Sequence, residues 1–225
     1  MKQDNFLYSL YWTYKNFHYY LKGIPCTIPH MTEKELSLFR STLTNTKYLL
    51  LEFGSGGSTY YAIKNGITVF SIESSLSFIK IMKKSSLIKR AIKNNKLLYY
   101  HADLGITKEW SIPLDENKDG YLYWGRPIDT IPYLKNKISS YWGNIDTAFI
   151  DGRYRIACTL NILYRLPKIN KIIFHDFSSN KEYKVIENFC TLIKMNDSLA
   201  IFEPQKNLDF AKIKIFLDKY RYNYE

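Results

Sequence analysis

Short apolar runs recur along this chain, separated by polar turns rich in glycine, asparagine and serine, and most are too short to be buried helices. Residues 48–51 pass through Glu52-Phe53 into Gly54-Ser55-Gly56-Gly57-Ser58-Thr59, which reads as a core strand, a glycine turn and the start of a helix. Residues 59–65 suit that helix and close on Asn65-Gly66, a C-cap pair; the β-branched run 67–72 then ends in Glu73. Apolar runs at 97–101, 146–151 and 171–177 carry Asp103, Asp151 and His175-Asp176 at or just beyond their ends, and 199–202 reads as a sixth strand. Residues 156–166 form a helical run, and Ser179-x-x-Glu182 opens another that carries Tyr183, Ile186, Phe189 and Leu192. Strands alternating with helices predict an α/β fold with a mostly parallel central sheet flanked by helices.

Upstream, Phe6, Leu10, Tyr14, Phe17 and Leu21 recur at helical spacing, with Tyr8, Trp12 and Tyr19 on the same segment. This reads as a packing helix; a dimer contact, a lid, or a membrane-surface patch with Lys15 and Lys22 are the functional alternatives. Thr32-x-x-Glu35 is a capping box opening a helix over 33–43. A length of 225 residues suits one α/β core, divided here into a helical extension, 1–45, and the main unit, 46–225.

The glycine turn points to a ligand. Gly54 and Gly56 permit torsions and close approach that a side chain forbids, and Ser58 or Thr59 can cap the helix that follows. In open parallel sheets, ligands bind beyond the carboxyl ends of the strands, where Glu73, Asp151, His175 and Asp176 all fall. Glu73 lies about 20 residues past the glycines, where an acid can accept both hydroxyls of a ribose; a helix-capping acid is the plain alternative. Thr59 stands where a dinucleotide fingerprint would need its third glycine, which disfavours hydride transfer.

The pattern Glu-x-Gly-x-Gly-Gly-Ser from Glu52 resembles the first motif of class I S-adenosylmethionine (SAM)-dependent methyltransferases. The resemblance implies a Rossmann-like fold and SAM as cofactor, with Glu52 near its methionine part, the turn Gly54-Ser55-Gly56 and Ser58 around it, Glu73 on the ribose and Asp103 toward the adenine. Four pieces in order resemble a narrower family of uncharacterised methyltransferase-like proteins associated with glycan biosynthesis. They are Phe53 to Thr59, Ser71-Ile72-Glu73, Ile150-Asp151-Gly152-Arg153-Tyr154-Arg155 and Phe174-His175-Asp176-Phe177, within a match over residues 48–202. Ser58 departs from the usual last glycine of the loop, but a small capping residue still fits there.

The resemblance further implies O-methylation of a hydroxyl acceptor, a small molecule or a glycan. Methyl transfer needs the acceptor oxygen held in line, water excluded and a proton removed. Asp151 and His175 are the candidate bases, and Asp176 can orient His175. A divalent metal shared by Asp151 and Asp176, as in catechol-type enzymes, is the minority reading, because His175-Asp176 stands where those enzymes place an acid–amide pair. Arg153 is a candidate substrate contact, with an ordinary ion-pair cluster with Arg155 as the alternative. The segment 120–127, with Tyr123 and Trp124, is a candidate acceptor wall in a region that also holds Trp110, Tyr121, Tyr133, Tyr141 and Trp142. Asp115-x-Asn117-x-Asp119-Gly120 imitates half a calcium loop but has Arg126 where the bidentate acid belongs, so it reads as a polar turn.

Charge changes this picture little. Lys and Arg number 32 against 21 acids, a net of +11, which suits nucleic acid, an anionic surface or an acidic substrate. The basic residues are scattered through 80–96 and 168–184, and the Asp/Asn-Pro-Pro-aromatic motif of amino-directed base methyltransferases is absent. Nucleic-acid methylation is therefore an alternative, as is a noncatalytic binding or scaffold protein on the same fold. Cys26, Cys158 and Cys190 show no metal spacing and leave an odd thiol, so a cytoplasmic location is expected. No run suits a membrane span or signal peptide. Acceptor identity and oligomeric state are not written in any pattern.

Overall fold

The Thr32 box forms as its spacing predicts: Glu35 N–H donates to Thr32 Oγ1 at 3.2 Å, Thr32 N–H donates to Glu35 Oε2 at 2.8 Å, and helix α1 (Glu33–Leu43) follows. The computed structural model describes residues 21–46, 49–108, 111–115, 118–134, 145–166 and 168–225. After α1 come β1 (Leu49–Phe53), α2 (Gly57–Lys64), β2 (Thr68–Glu73), α3 (Leu76–Met82), α4 (Ser86–Lys93) and β3 (Leu97–His101). The second half holds α5 (Tyr121–Trp124), α6 (Arg126–Leu134), β4 (Ile145–Ile150), α7 (Arg155–Arg165), β5 (Lys171–Phe174), β6 (Cys190–Asn196), β7 (Leu199–Pro204) and α8 (Phe210–Tyr220).

The strands make one sheet in the order β3-β2-β1-β4-β5-β7-β6. Pairings from β3 to β5 are parallel, and β7 runs antiparallel to both β5 and β6. Strand β1 has β2 on one side and β4 on the other, so the chain reverses its direction of travel across the sheet at β1. A crevice opens beyond the carboxyl ends at such a reversal. The expected α/β architecture is what forms.

Alternation along the strands divides the core into two layers. Leu49, Leu51 and Phe53 pack with residues of α5 to α8 on one face; Leu50, Val69 and Phe149 pack with α1, α2 and α4 on the other. Central strands covered on both faces read as continuous apolar runs, which is why β1, β2 and β4 are buried throughout. Helix α1 enters the second layer through Phe39, whose ring lies 5.0 Å from that of Phe149.

The segment after β5 departs from expectation. Instead of an α-helix opened by Ser179, two 3₁₀ segments form, Phe177–Ser179 and Lys181–Asn188, the second capped by Asn180, which accepts from Glu182 N–H at 2.9 Å. Tyr183, Ile186 and Phe189 recur every third residue, and a helix of three residues per turn puts them on one side. Leu192 belongs to β6, which turns back through Asp197 (φ 50°) into β7, so residues 199–202 belong to the seventh strand and not the sixth. Residues 191–195 are exposed on both faces of this edge strand, so no apolar alternation marked it.

Most of the N-terminal aromatic pattern (Phe6, Tyr8, Leu10, Trp12, Tyr14, Lys15, Phe17 and Tyr19) lies outside the described residues, as do Tyr48, Trp110, Asn117, Tyr141 and Trp142. All three cysteines are buried and free of disulfides. Among the described residues no helix is long and apolar enough to cross a membrane. Phe39→Ala should cost about 3–5 kcal/mol of folding stability, read as a lower urea midpoint at unchanged slope, because it opens a cavity between α1 and the sheet.

Candidate active site

The three glycines of the turn do three different jobs. Gly54 has φ +95°, and a Cβ there would lie 3.0 Å from the carbonyl carbon and oxygen of Asp151 and from Gly152 N, so its bareness lets the tips of β1 and β4 meet. Gly56 is extended, with φ 172°, and a Cβ on it would meet nothing within 4 Å. The space beside its Cα is therefore open, while its N–H and C=O are engaged by Thr59 Oγ1 and Tyr60 N–H. A Cβ on Gly57 would lie 2.0 Å from Ile28 O, so the segment ahead of α1 runs directly over the start of α2.

Beneath the turn sits a buried carboxylate. Period two places Glu52 on the same face of β1 as Leu50, pointing under α2, where Ser58, Thr59 and Ser71 hydroxyls donate to it at 2.6, 2.6 and 2.7 Å. Burial pushes its pKa up to about 7, although those three bonds favour the charged form. Thr59 Oγ1 in turn accepts Gly56 N–H at 3.0 Å. Glu52 and Ser58 brace the loop from below, and Thr59, in the first turn of α2, caps the helix start through that bond, as one of the two residues expected to do so.

Glu73, at the tip of β2, accepts Ser55 N–H at 3.0 Å and Ser75 N–H at 2.7 Å, tying its strand to the glycine turn. Burial raises its pKa against those bonds. Ser55 continues the network, its hydroxyl donating to Tyr99 Oη at 3.1 Å. Asp103 follows β3 on the same sheet edge; it is exposed, and its Oδ1 accepts Gly105 N–H at 2.8 Å.

Across the crevice, the tips of β4 and β5 form one charged cluster. Asp151 Oδ1 lies 2.7 Å from His175 Nδ1, and His175 Nε2 faces Glu35 Oε2 of α1 at 3.7 Å. Glu35 Oε1 also accepts the N–H and hydroxyl of Ser198, at 2.9 and 2.5 Å. Arg155 is buried at the start of α7, where left-handed Tyr154 (φ 54°) turns the chain. Its guanidinium donates to Gly152 O at 3.0 Å, His175 O at 2.7 Å and Asp176 Oδ2 at 3.0 Å.

Burial alone would lower the pKa of His175, but the charge and hydrogen bond of Asp151, with Glu35 and Asp176, raise it to about 10. Burial would raise that of Glu35, yet its bonds from His175, Ser198 and Thr32 bring it down to about 2. The raised value favours the charged ring at neutral pH, with one nitrogen toward Asp151 and the other toward Glu35.

Ligand atoms of Asp151, His175 and Asp176 lie within 4.8 Å of one another, close enough to surround an ion. In this arrangement the acids already have protein partners, Asp151 facing the His175 ring and Asp176 the Arg155 guanidinium, so a cation shared by Asp151 and Asp176 would have to displace both.

Tyr123 and Trp124 correct the aromatic-wall expectation, because both rings are buried in the core. A Cβ on Gly152 would lie 1.7 Å from Tyr123 Oη, and the hydroxyl bonds the backbone of Arg153, so Tyr123 supports the Asp-Gly-Arg turn from behind. Arg153 is half-buried on that turn, its pKa lowered by burial and by Arg155. Asp119 pairs with Arg221 and accepts Tyr121 N–H, consistent with a polar turn.

Sequence reasoning missed His30, and it missed the site role of Glu35 and Ser198. Glu35 carried only a capping signal, and Ser198 lies in an unforeseen hairpin. His30 is half-buried beside Pro29, and the charged groups acting on it are Asp151, His175, Asp176 and Glu35. Its one sequence signal was rarity, the chain having 4 histidines.

No protein-family model matches the chain, and no curated protein matches its sequence. Solved structures do match. A methyltransferase-like protein from Silicibacter pomeroyi is 23% identical with a TM-score of 0.66, the match covering 88% of this chain and 98% of that one. An O-methyltransferase from Bacillus cereus, solved with S-adenosylhomocysteine, is 16% identical with a TM-score of 0.47 over 81% of this chain and 86% of that one. The first of these establishes the fold: a Rossmann-like class I methyltransferase fold, with a seven-stranded, mostly parallel sheet.

A histidine whose folded pKa lies above its unfolded value stabilises fully below about pH 6.5, and that contribution is lost as pH rises through 10. Urea midpoints of the wild type should therefore fall relative to those of His175→Asn between pH 7 and 10, and the gap should be constant below pH 6.

Proposed function

We propose that this chain is a SAM-dependent O-methyltransferase acting on a carbohydrate hydroxyl. The observation that carries the reading is the open space beside the Cα of Gly56 at the strand reversal, with the Asp151 carboxylate at the adjoining tip. Bound SAM supplies a methyl group already activated on a cationic sulfur, so the chain's own residues need only bind, orient and handle a proton.

Gly54, Ser55 and Gly56 would hold the cofactor against backbone, and the Glu52 network fixes the loop beneath it. Glu73 would accept from the ribose with lone pairs not used by Ser55 and Ser75, and Asp103 would stand toward the adenine. Asp151, 27% exposed at its side chain, would accept the hydrogen bond of the acceptor hydroxyl and set its direction of approach. The imidazolium of His175 fixes that carboxylate, and Arg155 fixes both backbones. Arg153 would contribute a cation at the acceptor mouth. The carbohydrate assignment rests on the motif resemblance, since Tyr123 and Trp124 offer no sugar-facing wall.

Calorimetry should show wild-type protein binding S-adenosylhomocysteine and not NAD; binding of neither would leave a noncatalytic fold. Gly56→Val should retain the wild-type melting temperature and lose about tenfold or more in S-adenosylhomocysteine affinity. Asp151→Asn should keep that affinity and lose turnover about a hundredfold to ten-thousandfold on an acceptor found in a screen of sugars, phenols and RNA.

A further inference from the structure

Glu35 is buried more deeply than a helix cap requires. A capping glutamate has only to reach back to one backbone N–H, and Glu35 Oε2 does so, accepting Thr32 N–H at 2.8 Å. Yet its side chain is only 4% exposed, and burying a carboxylate is costly unless its oxygens are engaged. Ser198 engages Oε1 through its N–H at 2.9 Å and its hydroxyl at 2.5 Å, and Oε2 faces Nε2 of His175 at 3.7 Å. On the other side of that ring, Nδ1 lies 2.7 Å from Asp151 Oδ1. Among the described residues the side-chain contacts of Asp151 run through Oδ1, to His175 and to Arg155 Nη2 at 3.8 Å, and Oδ2 has no hydrogen bond.

We propose that Glu35 is a positioning residue of the acceptor site: it holds the His175 ring by the nitrogen opposite Asp151, so that Asp151 gives Oδ1 to the ring and keeps Oδ2 for the acceptor hydroxyl. This rests on the O-methyltransferase reading. An imidazole held at one nitrogen can still swing about that contact. Carboxylates at both nitrogens fix the plane of the ring, and a flip about the Cβ–Cγ bond would turn carbon toward each of them. Ser198 extends the hold, because the β6–β7 hairpin grips Oε1 and keeps the Glu35 carboxylate from turning away.

Charge supports the geometry. The groups acting on His175 are Asp151 after β4, Glu35 from α1, Asp176 next in the chain, Arg155 from α7 and, ahead of α1, His30. Burial alone would lower the pKa of the ring, but the charge and bond of Asp151, the bond of Glu35 and the charge of Asp176 raise it to about 10. Taking away the Glu35 charge removes one of these supports.

Glu35→Gln keeps a side chain able to complete the capping box and removes the charge. In histidine-selective NMR, without any acceptor, His175 should titrate at lower pH in this variant than in the wild type; an unchanged titration overturns the proposal. On an acceptor from the screen, Glu35→Gln should keep S-adenosylhomocysteine affinity and lose about tenfold to a hundredfold in kcat with KM little changed. Added to Asp151→Asn it should cause no further loss, because Glu35 acts through Asp151. Losses that multiply in the double variant, or full turnover in folded Glu35→Gln, refute the positioning role. Should Glu35→Gln fail to fold, Ser198→Ala leaves the charge in place and releases Oε1; it should show a smaller, severalfold loss that is again absent on top of Asp151→Asn, and full turnover there refutes the proposal equally. Full turnover in Asp151→Asn overturns the role of Asp151 and this proposal with it, whereas failure of the wild type to bind S-adenosylhomocysteine refutes the function on which both rest.

Discussion

The tips of β4 and β5 depend on a buried guanidinium. Arg155 ties Gly152 O of the β4 turn, His175 O of the β5 tip and the Asp176 carboxylate together within one planar group. Burial alone would lower its pKa, but Asp176 and Asp151 raise it, so the charge is kept inside the protein. A buried charge of this kind tolerates no missing partner, because the one left behind costs about 3–5 kcal/mol. The consequence is positional. Asp151 and His175 cannot drift apart, since the backbones that carry them share a guanidinium.

A second polar network does for the glycine turn what Arg155 does for the tips of β4 and β5. Glu52 gathers three hydroxyls, from α2 and β2, at hydrogen-bond lengths of 2.6 to 2.7 Å. Glu73 adds two backbone amides from either side of the crevice's edge. Both carboxylates spend most of their hydrogen-bonding capacity on the protein itself. Beside Gly56, where a Cβ would meet nothing within 4 Å, the loop is open. Loop rigidity comes from the acids, and access comes from the glycine.

The N-terminal part links the two halves. Glu35 faces His175 from α1 while Ser198 of the β6–β7 hairpin donates twice to Glu35, so three distant stretches of chain meet at one carboxylate. Phe39 anchors the same helix into the core against Phe149. A segment that looks peripheral in sequence is therefore fastened to the tip of β5.

Much of this was legible in residue order. Alternating strand and helix signals, the capping box at Thr32 and Glu35, the glycine turn and the acids at the strand tips arise from local rules of torsion, period and capping. They determined the α/β fold and the sheet edge where those acids gather. The side chains' partners were not legible, because contacts between residues far apart in sequence leave no local pattern. Tyr123 and Trp124 look like a sugar wall until the fold turns them inward. The sequence shows His175 at a strand tip but not that Asp151 and Glu35 close on it. Glu35 looks like a cap until Ser198 and His175 arrive. Burial and charge pairing decide each of these roles, and both are properties of the assembled chain: a side chain's protonation state and accessible face depend on neighbours that only the tertiary structure brings within a few ångströms.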